Sequence, residues 1–234
     1  MLIDFRVRPP YKTNLTTSLY NKPAPSPDPT KQSIFLIGKE RVPSAEARSI
    51  ELFMQEMDET ETERAVIMGR KADEYGSVDN DEIDELARAY PGRFIPFAGV
   101  NPNLPGQVEE IERVAAMGFR GVGIDAGWLR RPLYHDDPVF DPIYAKCQEL
   151  GMIVSLTSSF MLGPDLSYSE PCAIQRVAMK YPNMKMCRTA AGRMSTPPLP
   201  WRSVAPTCIL CLTVTFISMG SRCPTSTSRP RTPT

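Results

Sequence analysis

Apolar and polar residues alternate over Leu2-Ile3-Asp4-Phe5-Arg6-Val7-Arg8 and stop at Pro9-Pro10, which predicts a first strand over residues 2–7 running into a loop. Residues 11–43 are rich in proline and show little periodicity, so a long irregular excursion is expected. Ser44 reads as an N-cap of a helix that carries Ile50, Phe53, Met54 and Met57 at helical spacing. Ala65-Val66-Ile67-Met68-Gly69 is a continuous apolar run, the pattern of a strand buried on both faces. Further strands are predicted over 94–99, 120–125 and 152–157, and a sixth begins at Met184-Lys185-Met186. Helices are predicted between them over 80–89, 104–117 and 140–150, and a last one over 171–179. Gly118 and Gly151 close two of them.

Five strand–helix units followed by another strand define an α/β protein with a parallel sheet and helices outside it. Such a chain closes as an open doubly wound sheet or as a (β/α)8 TIM-type barrel. No G-x-G-x-x-G follows the first strand, so dinucleotide binding has no support. Arg6, Arg8, Asp125 and Thr157 instead collect at strand C-termini, where a barrel builds its site.

Composition changes this picture in one respect. Apolar residues make up 41% of the 234 and charged residues 23%, ordinary for a globular domain. The net charge of +0 excludes a dedicated nucleic-acid binder but hides an asymmetry. Residues 1–170 hold all 27 acidic residues against 18 basic ones, whereas residues 171–234 hold nine basic residues and no acidic one. No apolar run reaches the roughly 18–20 residues of a membrane helix. Asp4 interrupts the place of a signal-peptide core, so a cytoplasmic protein with no membrane partner is expected. Cys208 and Cys211 have a metal-like C-x-x-C spacing, but a zinc site needs two further ligands and only Cys223 is near.

Several segments in order and spacing resemble the amidohydrolase-related family, a group of metal-dependent hydrolases and decarboxylases. They are Ile3-Asp4-Phe5-Arg6-Val7-Arg8-Pro9-Pro10, Ala89-Tyr90-Pro91-Gly92-Arg93-Phe94 and Gly118-Phe119-Arg120-Gly121-Val122. The most specific is Asp136-Asp137-Pro138-Val139-Phe140-Asp141-Pro142-Ile143-Tyr144 continuing to Leu150-Gly151-Met152-Ile153-Val154. Gly163-Pro164-Asp165 and Tyr181-Pro182-Asn183 complete the series. The resemblance implies a (β/α)8 barrel acting on a small carbonyl or carboxylic-acid substrate. Its chemistry would be hydrolysis of a C–N or ester bond or non-oxidative decarboxylation, and the family norm is a divalent metal such as zinc. A homo-oligomer is compatible with intact relatives.

The departures from the family pattern concern its metal. The first strand of the family ends in Asp-x-His-x-His, and here Arg6 and Arg8 occupy both histidine places. A guanidinium stays protonated and offers no lone pair to a metal. The fifth-strand histidine is matched by Thr157, and the sole histidine, His135, is expected to be a solvated loop residue. No metal is therefore expected in this chain. Two arginines two apart on a strand point the same way, which suits an anionic small molecule as substrate. Alternatively they pair with Asp4 or Asp125 and hold the mouth together. Asp125 is a candidate general base or an ion-pair partner; between two arginines its pKa would fall and make it a poor base. Thr157 is a candidate hydrogen-bonding group for substrate.

From Arg188 onward the pattern dissolves: 22 of 47 residues are Ser, Thr or Pro. Residues 187–194 can be encoded TGC CGC ACG GCG GCT GGC CGT ATG. From the third base this DNA reads Pro-His-Gly-Gly-Trp-Pro-Tyr, which resembles the family's sixth-strand His-Gly-Gly motif. The expected organisation is a partial barrel over 1–187 and an out-of-frame, disordered tail over 188–234, giving a chain without turnover. The rival class is a non-catalytic binding protein, or a pseudogene product, on a truncated barrel scaffold.

Overall fold

The computed structural model describes residues 2–17, 20, 42–159, 165–191 and 208–209. Most of the proline-rich excursion, Gly163 and Pro164, and the Cys211 and Cys223 of the candidate metal spacing lie outside the described residues. Seven strands form one sheet in the order β1 (Leu2–Val7), β2 (Thr62–Met68), β5 (Phe94–Gly99), β6 (Gly121–Ile124), β7 (Ile153–Ser159), β8 (Met186–Ala191) and the two-residue β9 (Cys208–Ile209). Every neighbouring pair is parallel. The sheet curls into part of a barrel, with α2 (Ile50–Glu59), α3 (Asn80–Ala89), α4 (Gln107–Ala116), α5 (Asp141–Glu149) and α6 (Pro171–Lys180) as its crossover helices. The (β/α) architecture expected from the sequence is the architecture found.

Alternation along β2 sorts its side chains between two layers. Ala65 and Ile67 face the helices and join the large core with Ile83, Leu86, Ile111 and Val114. Val66 and Met68 face the barrel interior with Phe97, against which Phe5 packs edge-on at 5.6 Å between ring centroids. A strand covered on both faces needs apolar residues without interruption, as this run supplies. Gly118 and Gly151 sit just past α4 and α5 at φ 98° and 64°, where a Cβ would be strained.

Local features depart from the sequence reading, one of them in the tail expected to be disordered from residue 188: β8 runs on to Ala191, and β9 pairs with it at Cys208–Ile209. The helix expected from Ser44 is two helices, α1 (Pro43–Ala47) and α2, because Arg48 turns to φ 54° and Ser49 caps the second through its side chain and the Leu52 amide. Ser44 is inside α1, and its amide and hydroxyl donate to the Glu56 carboxylate at 2.8 and 2.5 Å. A short antiparallel hairpin, β3 (Arg70–Lys71) with β4 (Ser77–Val78), follows β2 and has no hydrophobic period to announce it. Arg6 lies in a β-bulge at φ 86°, so the register with β2 shifts between Phe5 and Val7.

Candidate functional site

The C-terminal ends of the strands bring four side chains of separate elements together. Arg6 comes from the bulge of β1, Arg70 from the residue pair after β2, Asp125 from the end of β6 and Thr157 from β7. Arg6 Nη2 donates to Asp125 Oδ1 at 2.9 Å, and its Nη1 donates to Thr157 Oγ1 at 2.5 Å. Arg70 Nε lies 3.1 Å from the other oxygen, Asp125 Oδ2. The Arg70 guanidinium also sits over the Trp128 ring, 5.3 Å from its centroid, and Tyr75 meets that ring edge-on. All three members of the ion triad are less than one tenth exposed.

Arg8 extends beyond β1 into the same region. It lines a small recess open to solvent with Arg6, Arg70, Asp125, Asn14 and Thr17. Among the described residues its guanidinium makes no hydrogen bond or ion pair, whereas its backbone carbonyl accepts from the Tyr20 hydroxyl at 2.6 Å. Burial and the like charges of Arg70 and Arg6 pull the Arg8 pKa down. A guanidinium delocalises its charge and keeps it, so the effect is an unbalanced cation rather than a neutral base. Burial alone would raise the Asp125 carboxyl, but Arg6, Arg70 and Arg8 outweigh it and hold that group well below the usual carboxylate range. Three guanidiniums and one carboxylate leave an excess of two positive charges around the cavity.

Arg6, Arg8 and Asp125 thus line one cavity, and Thr157 touches it through Arg6. Asp4 makes no ion pair with either arginine among the described residues, and burial raises its pKa. Arg70 escaped the sequence reading, although it directly follows the apolar run of β2, the same strand-end position as the others. His135 corrects the expectation of a solvated residue: it is fully buried, with Nε2 2.9 Å from the Thr157 carbonyl oxygen. Its own carbonyl accepts from Tyr144 at 2.8 Å, and burial lowers the imidazole pKa. The loop folds inward because Ala126, Leu129, Leu133 and Phe140 are all core residues.

This donor set does not fit a divalent metal. The arginines have no lone pair, and both Asp125 oxygens already face guanidiniums. His135 Nε2 is committed to a carbonyl, and no three His, Cys, Asp or Glu gather among the described residues.

A curled parallel sheet with outer helices and a polar mouth at the strand C-termini defines a (β/α)-barrel protein. The amidohydrolase family profile matches residues 13–206, and the chain belongs to that family. Among solved structures it is similar to an uncharacterized TIM-barrel protein from Bordetella bronchiseptica, with 28% identity and TM-score 0.73 over 89% of this chain and 74% of that one. It shares its fold with 5-carboxyvanillate decarboxylase from Sphingomonas paucimobilis at 16% identity and TM-score 0.54, covering 80% and 67%. It also shares the fold of 4-oxalomesaconate hydratase from Rhodopseudomonas palustris, at 17% identity and TM-score 0.51, covering 81% and 63%. The chain therefore spans about two thirds to three quarters of the length of these proteins. No curated protein matches it. No helix among the described residues is long and apolar enough to cross a membrane.

Proposed function

We propose that the barrel mouth holds the carboxylate of a small organic acid on fixed guanidinium charge, in place of the divalent metal usual for the family. The observation that carries this reading is the excess of two positive charges around one cavity, the same charge that a divalent cation would supply. Like charges gathered in a low-dielectric place repel, and an anion between them relieves that repulsion. In this reading Arg8 grips the substrate, while Arg6 and Arg70 shape the field around it. Asp125, a candidate base in the sequence, acts as the ion-pair partner that fixes both. Thr157 orients Arg6 rather than reacting.

The family framework makes hydrolysis or non-oxidative decarboxylation of that acid the reaction an intact relative would perform. For the present chain we propose binding without turnover. General-base work needs an accessible group with a pKa near the working pH. Asp125 is clamped and strongly acidic, and His135, whose Nε2–H donates to the Thr157 carbonyl, keeps its basic Nδ1 fully buried.

The test incubates the purified chain with a panel of small aliphatic and aromatic carboxylic acids. Binding is followed by calorimetry, and carbon dioxide release and hydrolysis by standard assays. Binding that weakens with added chloride and no product formation are expected. An absence of carboxylate binding overturns the anion-site reading, and steady product formation overturns the inert one.

A further inference from the structure

Among the described residues, two side-chain groups lining the cavity make neither a hydrogen bond nor an ion pair, and they are of opposite kinds. Arg8 presents N–H donors without an acceptor among the described residues. Asn14, only 2% exposed, presents its side-chain Oδ1 with no donor among the described residues. Buried amide oxygens are nearly always hydrogen-bonded, so an orphaned one beside a cavity is a place for a ligand's donor. The main chain of Asn14 is held on both sides. Its amide donates to the Tyr11 carbonyl at 3.0 Å, and its own carbonyl accepts from the Thr17 amide at 3.1 Å and hydroxyl at 2.7 Å. The Thr17 hydroxyl is thereby used up on the main chain and leaves the side-chain amide unserved. Arg6 and Arg70 are already committed to Asp125, which leaves Arg8 as the guanidinium for the ligand.

Resting on the carboxylate reading above, we propose that the cavity selects small acids that carry a hydrogen-bond donor next to the carboxylate, a 2-hydroxy acid being the smallest form. The carboxylate sits on Arg8 and the hydroxyl donates to Asn14 Oδ1. A plain carboxylate satisfies only the first group. A site built around a hydrogen-bonding acceptor discriminates against a ligand that lacks the donor, because the acceptor is then left buried and unpaired.

The probes are glycolate, methoxyacetate and acetate, titrated calorimetrically into the full chain and into Asn14→Ala. Methoxyacetate keeps the 2-oxygen of glycolate but carries a methyl in place of its O–H, and acetate, smaller than either, controls for that added bulk. Glycolate is expected to bind about 10-fold tighter than methoxyacetate or acetate, one hydrogen bond's worth. In Asn14→Ala the three should converge while acetate affinity is retained. Equal binding of glycolate and methoxyacetate by the wild-type chain overturns this proposal, and it does so whether or not Asn14→Ala folds. A preference that persists in Asn14→Ala would send the hydroxyl to another acceptor, such as Asp125, and also overturns it. If acetate and glycolate both fail to bind, the carboxylate reading falls with it; if both bind equally, that reading stands alone.

Discussion

At the barrel mouth one carboxylate, Asp125, faces Arg6 and Arg70 with a third guanidinium, Arg8, close by, and the ion-paired side chains are under one tenth exposed. On the outer helices α3 and α4 the proportions reverse. One guanidinium, Arg113, meets Asp81 at 2.6 Å and Glu110 at 2.7 Å, with Arg113 44% exposed. Both clusters hold short ion pairs, but they do different things. The outer cluster is nearly solvated, so each pair trades water for a partner at small net gain. The inner cluster is desolvated, charge-unbalanced and lines a cavity, and under the proposed function it serves as a site rather than as a stabilising brace.

Four substitutions test the contrast. Asp125→Asn should cost most, about 3–5 kcal/mol in denaturant unfolding, because it strands buried guanidiniums without their counter-charge. A cost below about 1 kcal/mol would mean that water reaches the triad and that the two clusters are alike. The Asp125 charge itself should persist through mild acid. A carboxyl with a depressed folded pKa lends stability above its unfolded pKa of about 3.9 and loses it as the pH falls toward the folded value.

His135, behind Thr157, supplies the next largest effect. Its folded pKa is depressed, so below about pH 6.5 the unfolded chain binds the proton that the folded chain refuses. Stability should therefore fall with acidification, by up to about 1.4 kcal/mol per pH unit, until the folded pKa is passed. His135→Gln keeps an N–H for the Thr157 carbonyl and should flatten that slope. An unchanged slope would assign it to other groups.

Arg8→Met should stabilise the fold by about 1 kcal/mol, read as a rise of roughly 2–4 °C in Tm, while it removes anion binding. Loss of stability would show that Arg8 braces the mouth instead of serving a ligand. Smallest of all, Arg113→Gln should change stability by no more than about 1 kcal/mol, an effect that 0.5 M salt should erase.

What the sequence revealed of this contrast follows from how each group is placed. The strands were legible because alternation and unbroken apolar runs are direct images of one-sided and two-sided burial. Arg6, Asp125 and Thr157 were legible because they end strands. Arg70 was not, because the two-residue strand carrying it has no period to read. The bulge at Arg6 was invisible for a similar reason: a single positive φ at a non-glycine residue leaves no compositional mark. His135, flanked by Tyr134 and Asp136-Asp137, looked solvated, and only the packing of Leu129, Leu133 and Phe140 buries its loop.

The claim that joins these observations is that guanidinium charge does the work of the metal. It is tested most directly by titrating acetate into chelator-treated protein and into Arg8→Met, with zinc content measured on the same samples. The account predicts unchanged acetate binding after chelation, no stoichiometric zinc, and loss of binding in Arg8→Met although that variant is folded. Stoichiometric zinc whose removal abolishes acetate binding, or an Arg8→Met variant that binds acetate as the wild type does, would contradict it.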